Sequence, residues 1–182
     1  FGTSEAEVVE THGNGTATWR YEDDSAGGIV YAGDYIRQDI QAGGATIQLY
    51  YGRKHQAVME QAGAADAVRS VVDYCTERYG PLSFSAGGSL KLIQSRVAGG
   101  GYAGDGASLL DEADFTAHNL GDADKGGGAA EVMIHELVHQ WWGLGNMFDT
   151  ADPWSAEGLT CYTTYRIATE LYGEDYAREH YV

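Results

Sequence analysis

Short apolar and aromatic segments, separated by glycine and polar residues, fill the first half of the chain. Residues 16–21, 28–33 and 46–51 are rich in β-branched and aromatic side chains, which is typical of β-strands. Leucine, isoleucine and valine in the segment 89–97 predict a further strand. The first half therefore predicts β structure.

Helical periodicity appears where apolar residues recur at spacings of three and four. It predicts one helix over about 55–79, ended by the glycine–proline pair at 80–81, and another over 129–142. A last helical region covers 156–182, with a break at Gly173. Strands first and helices later, without regular strand–helix alternation, predict an α+β fold.

The charge balance narrows the classes of function. The 182-residue chain has 11 basic and 27 acidic residues, a formal net charge of −16 and an isoelectric point near 4.5. Nucleic-acid binding needs a basic stripe that neutralises phosphates, and anionic membranes attract basic segments. Neither nucleic acid nor an anionic membrane surface is therefore expected as a partner. No apolar run is long enough to span a membrane. Neutral or cationic substrates suit this acidic chain better than anionic ones. Its two cysteines do not indicate whether the protein works in an oxidising or a reducing compartment.

The sharpest chemical signal is the pentapeptide His135-Glu-Leu-Val-His139. Positions i and i+4 of a helix lie one turn apart on one face, so two imidazoles can occupy two corners of a zinc tetrahedron. Glu136 is then placed to take a proton from a zinc-bound water. Apolar neighbours predict partly buried histidines, which need partners. The alternative is a surface helix that carries two histidines by chance.

A catalytic zinc site also needs a third protein ligand. Glu157, near the start of the last helical region, is the candidate, because a carboxylate in the first turn of a facing helix can reach the metal. The alternative role for Glu157 is a plain N-terminal carboxylate stabilised by the helix dipole.

These residues resemble the zinc gluzincins of the aminopeptidase N type, which carry H-E-x-x-H, eighteen residues and then Glu. The first block here is His135-Glu-Leu-Val-His-Gln-Trp-Trp-Gly143, and Trp154, Glu157 and Gly158 match the family's later Trp-x-x-Glu-Gly. The resemblance runs through nearly the whole chain. It implies a remnant of a preceding β domain over 1–25. It also implies a thermolysin-like zinc peptidase domain over 26–182, with its C-terminal half absent and a small, mostly antiparallel sheet packed on the helices that bear the zinc.

The resemblance also implies an activity: zinc-dependent, aminopeptidase-like hydrolysis of peptide bonds in a peptide or protein substrate. One Zn²⁺ per chain would be bound by His135, His139 and Glu157, with Glu136 as the general base.

The stretch 100–104 lies where the family has its exopeptidase motif, Gly-x-Met-Glu-Asn. The spacing of Gly99, Gly101 and Gly104 also matches a dinucleotide-binding fingerprint, but no strand–helix–strand unit surrounds it. A substrate edge is therefore favoured, at which the peptide backbone pairs as an added strand. The residues expected to bind the substrate there are Gly100, Gly101, Tyr102 and Ala103.

The chain departs from the family pattern in four ways. Seventeen residues, 140–156, separate the second histidine from Glu157, and Thr164 occupies the place of a Glu that supports the ligands. Residues 100–104 lack the Glu that recognises a substrate's free amine. The family's carbonyl-polarising tyrosine would lie beyond Val182. Amino- and endopeptidase activity both stay open.

These departures motivate an alternative from another class. The chain would then be a non-catalytic, zinc-bearing binding or sensory domain of a larger, transporter-associated membrane protein. Extracytoplasmic domains fused to bacterial ABC-type permeases are the examples that the resemblance permits.

Overall fold

The computed structural model describes residues 1–2, 6–21, 29–82, 89–96, 100–104, 106–112, 128–144 and 153–181. The chain divides into two compact units, Phe1–Asp34 and Tyr35–Val182. The predicted division into a β remnant over 1–25 and a peptidase domain over 26–182 stays a prediction.

The first unit contains a two-stranded antiparallel hairpin. Strand β1 (Ala6–Thr11) pairs with β2 (Ala17–Tyr21), which confirms the strand predicted over 16–21. The connecting turn is closed by the Asn14 side chain, whose Oδ1 accepts hydrogen bonds from the Thr16 backbone N–H at 3.1 Å and hydroxyl at 2.7 Å.

The strand predicted over 28–33 is wrong in its described part, residues 29–33. Val30 makes an isolated bridge to Gly2, and the side chains of Ile29 and Val30 are largely exposed. The Tyr31 N–H also donates to the Phe1 carbonyl at 2.8 Å, but the described residues here form a bridge and not a ladder.

The second unit is built on a five-stranded sheet of order β3–β4–β5–β7–β6. Its strands are β3 (Tyr35–Ala42), β4 (Ala45–Gly52), β5 (Ser89–Ser95), β6 (Gly101–Gly104) and β7 (Ala107–Asp111). The pairs β3–β4 and β6–β7 are antiparallel, whereas β4–β5 and β5–β7 are parallel. The sheet is mixed, so the prediction of a mostly antiparallel sheet is wrong. Parallel pairing needs a crossover, and the helices between β4 and β5 supply it.

Strand β4 confirms the prediction over 46–51. Strand β5 confirms the prediction over 89–97 as far as Ser95, since Arg96 lies outside the strand and residue 97 outside the described part. Strand β3 was not predicted, because its polar side chains are largely exposed and hide the alternation. It joins β4 through Gly43 and Gly44, whose φ angles of +56° and +77° suit a tight hairpin.

The single helix predicted over 55–79 is divided. A short 3₁₀ turn leads into α1 (Gln56–Gln61), and α2 (Ala64–Tyr79) follows after Gly63, whose φ of +65° interrupts the helix. The later helices are α3 (Gly128–Val138), α4 (Glu157–Tyr172) and α5 (Glu174–Tyr181). The predicted break at Gly173 is confirmed.

Helices α2 and α3 pack together and against the sheet around one apolar core. Because apolar residues recur every three or four positions along α2, one face of this helix is apolar and buried. The core includes Val68, Val71, Val72, Leu90, Leu92, Ile134, Leu137 and Val138, each less than 2% exposed. Rigid packing beneath α3 fixes the helix that carries the histidines. Among the described helices, none has the length and apolar content needed to cross a membrane.

Candidate metal centre

The C-terminal end of α3 brings the two histidines of the pentapeptide together. Regular helix stops at Val138, yet the His139 N–H still donates to the His135 carbonyl at 3.2 Å. The imidazoles therefore stay one turn apart on one face. Their Nε2 atoms lie 3.1 Å apart, and the rings cross at 84°.

Glu157, the first residue of α4, completes a three-residue cluster. Its Oε2 lies 3.3 Å from His135 Nε2, and its Oε1 lies 3.5 Å from His139 Nε2. Zinc bonds of about 2.1 Å in a tetrahedron place neighbouring ligand atoms roughly 3.4 Å apart. The separations of 3.1–3.5 Å, which involve both oxygens of Glu157, lie near this value, and one ligand atom from each residue lies within 4.8 Å of the others. Imidazole and carboxylate are donors that zinc accepts.

Backbone contacts orient His139. Its Nδ1 lies 3.0 Å from the Trp142 carbonyl oxygen. Because a carbonyl oxygen can only accept, the hydrogen of a neutral ring sits on Nδ1, and the Nε2 lone pair faces the cluster. The Thr160 hydroxyl also lies near, at 3.3 Å from Nδ1.

Thr164, at the position where the resembling family has a supporting Glu, does not take over that role. Its buried hydroxyl donates to the Thr160 carbonyl at 2.8 Å, one turn back along the same helix. Sequence reasoning found neither the Trp142 carbonyl nor Thr160. The threonines at 160, 163 and 164, spaced as one helix face, were the signal that could have indicated buried hydroxyl partners.

The electrostatics of the cluster favour neutral imidazole at His135. Burial lowers the pKa of His135, the neighbouring His139 lowers it further, and Glu157 opposes both effects. Neutral imidazole is the form that binds metals.

The Glu136 side chain lies against strand β6, next to Gly101. It is 7% exposed, and burial raises the pKa of its carboxyl group to about 7, with Glu157 adding to the rise. A Cβ added at Gly101 would lie 2.6 Å from both Cδ and Oε1 of Glu136. Only glycine leaves room for this carboxylate beside the strand.

The predicted substrate edge forms the start of β6, at the end of the described sheet. Gly101, Tyr102 and Ala103 pair with β7, and Gly100 precedes them with a φ of +117°. The Tyr102 side chain is 61% exposed. The structure thus brings this edge to Glu136, while substrate binding there stays a prediction.

Gly143 allows α4 to approach the histidines. It has a φ of +92°, and an added Cβ would lie 2.9 Å from the Ala156 Cβ and 3.5 Å from His139 Nδ1. Because Ala156 lies this close to Gly143, the residue that follows it, Glu157, lies within reach of both imidazoles.

Solved structures provide the comparison for this fold. The chain is similar to a point mutant of an M1 zinc metallopeptidase from Deinococcus radiodurans, with a TM-score of 0.56 and 17% sequence identity. The match covers 97% of this chain and 39% of that one. An M1 zinc metallopeptidase from the same organism matches with a TM-score of 0.46 and 20% identity, over 79% of this chain and 30% of that one.

The first match shows that the fold is like that of part of an M1 zinc metallopeptidase. At 17% identity the likeness concerns fold alone, and the chain spans 39% of the length of that protein. No protein-family model matches the sequence, and no curated protein matches it. The argument for function therefore depends on the residues of the site.

Proposed function

We propose that this chain is the metal-binding part of a zinc metallopeptidase with a thermolysin-like catalytic domain, and that it hydrolyses peptide bonds in peptides or proteins. The carrying observation is the convergence of His135, His139 and Glu157, with ligand atoms 3.1–3.5 Å apart beside a buried Glu136. One Zn²⁺ per chain would be held by these three residues. The M1-like fold supports the proposal.

When bound, zinc would supply Lewis acidity toward a peptide carbonyl and toward a water molecule. Glu136 accepts the proton of the attacking water at its carboxylate and delivers it to the nitrogen of the departing amine. The backbone of β6 binds and orients the peptide as an added strand, next to that carboxylate.

The choice between amino- and endopeptidase activity turns on the free amine of the substrate. Ala103 has no carboxylate where the resembling family places the Glu that recognises this amine. Recognition of a free N-terminus is therefore not part of the proposal. The net charge of −16 favours neutral or cationic peptides over acidic ones.

Zinc content is the first test. Elemental analysis of metal-replete protein should give one zinc per chain in the wild type and a clear loss in Glu157→Ala. Failure of the replete wild type to bind zinc would overturn the proposal.

Hydrolysis of matched peptides with free and blocked N-termini is the second test. Cleavage of both would indicate an endopeptidase, and cleavage of the free form alone an aminopeptidase.

A second candidate is favoured by Ala103 and Thr164, the two places where residues of the resembling family are replaced. It is a non-catalytic, zinc-bearing binding or sensory domain of a larger, transporter-associated membrane protein. Stoichiometric zinc without cleavage of either peptide would favour it.

A further inference from the structure

Helix α4 presents three buried threonines with different hydrogen-bond partners. Thr160, Thr163 and Thr164 are 0%, 2% and 1% exposed. Buried hydroxyl groups need hydrogen-bond partners, so the partner of each threonine indicates the role of its side chain. Thr164 bonds back to its own helix, at the Thr160 carbonyl. Thr160 and Thr163 instead face the chain segment that follows α3.

Thr163 holds the indole ring of Trp142. The Trp142 Nε1–H donates to the Thr163 hydroxyl at 3.0 Å. Tyr79, at the end of α2, packs edge-on against the same ring, with centroids 5.0 Å apart. The ring is thus fixed by a hydrogen bond from α4 and an aromatic contact from α2.

Fixing the Trp142 ring also restrains the Trp142 backbone. The carbonyl of this residue accepts from His139 Nδ1 at 3.0 Å, and the Thr160 hydroxyl lies 3.3 Å from the same nitrogen. Both contacts act on the ring nitrogen remote from the metal cluster. The carbonyl, which can only accept, selects the tautomer whose Nε2 lone pair points toward His135 and Glu157, and the Thr160 hydroxyl can accept from the same Nδ1–H.

We propose that Thr160 and Thr163 are positioning residues for His139: Thr160 acts at Nδ1 directly, and Thr163 acts through Trp142. The inference rests on the proposed function in that His139 is taken as a zinc ligand. It assigns to α4 a second role besides carrying Glu157. A neutral carbonyl and a neutral hydroxyl then do the work that the resembling family assigns to a carboxylate, without adding negative charge.

The test compares three valine variants that share a helix and a degree of burial. Thr160→Val and Thr163→Val remove the hydroxyls near the histidine, whereas Thr164→Val removes one that bonds to backbone and is the matched control. The first readout is the tautomer of His139, from ¹⁵N shifts of the metal-free protein at a pH where the ring is neutral. His139→Gln assigns the signal.

Wild type and Thr164→Val should show Nδ1–H with a bare Nε2. Thr160→Val and Thr163→Val should show a mixture of tautomers. The second readout is zinc affinity, by competition with a chromophoric chelator. Loss of an outer hydrogen-bond partner lowers metal affinity about 10–100-fold, so we expect about tenfold for Thr160→Val and a smaller loss for Thr163→Val.

An Nε2–H tautomer in the wild type would overturn the proposal, and so would equal behaviour of Thr163→Val and Thr164→Val. If Thr163→Val does not fold, Trp142→Phe removes the same hydrogen bond from the other partner, and an unchanged tautomer there would also overturn it. The predicted tautomers without zinc binding in any variant would refute the proposed function and leave the orienting role intact.

Discussion

The candidate site has two sides. On the α4 side, side chains cluster around His139 and Glu157, and on the β6 side Glu136 lies against Gly101, which has no side chain. Imidazoles, a carboxylate and hydroxyl groups converge on the α4 side, each with a partner at 2.8–3.5 Å. On the β6 side, Gly101 leaves its space to the Glu136 carboxyl group. The proposed metal site therefore depends on which side chains are present, whereas the position of Glu136 depends on the absence of one at Gly101.

Substitution of Glu136 should separate hydrolysis from zinc binding most clearly. Glu136→Gln removes the proton acceptor but none of the three proposed ligands. We expect hydrolysis to fall by about 10²–10⁴-fold, the usual contribution of a general base, while zinc content stays at the wild-type level. Rates on a peptide substrate and elemental analysis of the same sample check both. Turnover retained in this variant would contradict the mechanism.

Gly101→Ala tests the β6 side alone. The new methyl group would displace the Glu136 carboxyl group, and a shift of about 1 Å in a catalytic group costs about 10²-fold in rate. Zinc affinity should not change. Gly104→Ala is the matched control on the same strand, because its added Cβ would meet its nearest neighbour at an ordinary 3.4 Å. Equal losses in the two variants would show that the Gly101 contact is not specific.

Gly143→Ala tests the α4 side. Its methyl group would lie 2.9 Å from the Ala156 Cβ, so α4 must withdraw and carry Glu157 with it. Zinc affinity should fall by about tenfold, equivalent to about 1.4 kcal/mol.

Gly173→Ala provides the control for backbone strain at Gly143. Gly173 has a similar φ of +97°, but its added Cβ meets nothing within 4 Å. Both variants should lose about 1–3 kcal/mol of stability, because both positions have a positive φ that other residues rarely adopt. A loss of zinc affinity in Gly173→Ala as large as in Gly143→Ala would refute the contact argument.

Metal removal should change the stability of the protein without any substitution. Zinc at about 100 times its Kd stabilises the folded state by about 2.7 kcal/mol. A chelator should therefore lower the Tm of the wild type by several degrees and leave Glu157→Ala almost unchanged. Equal shifts in both proteins would indicate that the metal binds elsewhere.

Helices and strands with a regular apolar pattern were predictable from the sequence. Strands that are defined mainly by hydrogen bonds to neighbouring strands were not. The helix of His135 and the strands β4 and β5 carry regular apolar patterns. Strands β6 and β7 lie near glycines and are short, so no pattern marks them. The direction of strand pairing was predicted wrongly, because it depends on the crossover through α2 and not on the residues of each strand.

The candidate site divides in the same way. His135, Glu136 and His139 follow from helical spacing, and the structure brings Glu157 to them. The partners of His139 were missed because a backbone carbonyl, such as that of Trp142, leaves no mark in the residue type. Gly143 directly follows the helix predicted over 129–142, but its close contact with Ala156 depends on tertiary packing and could not be predicted.

The parallel pairing of β4 with β5 bears on the order in which the molecule folds. Hairpin β3–β4 joins neighbours in sequence, whereas Thr46 pairs with Ser89 across two helices. Contacts between distant segments cost more loop-closure entropy and form more slowly. During refolding, we expect the ability to bind zinc to appear after the hairpin has formed, at the same time as Trp141 and Trp142 are buried. Stopped-flow tryptophan fluorescence alongside a zinc indicator would show whether the two signals rise together.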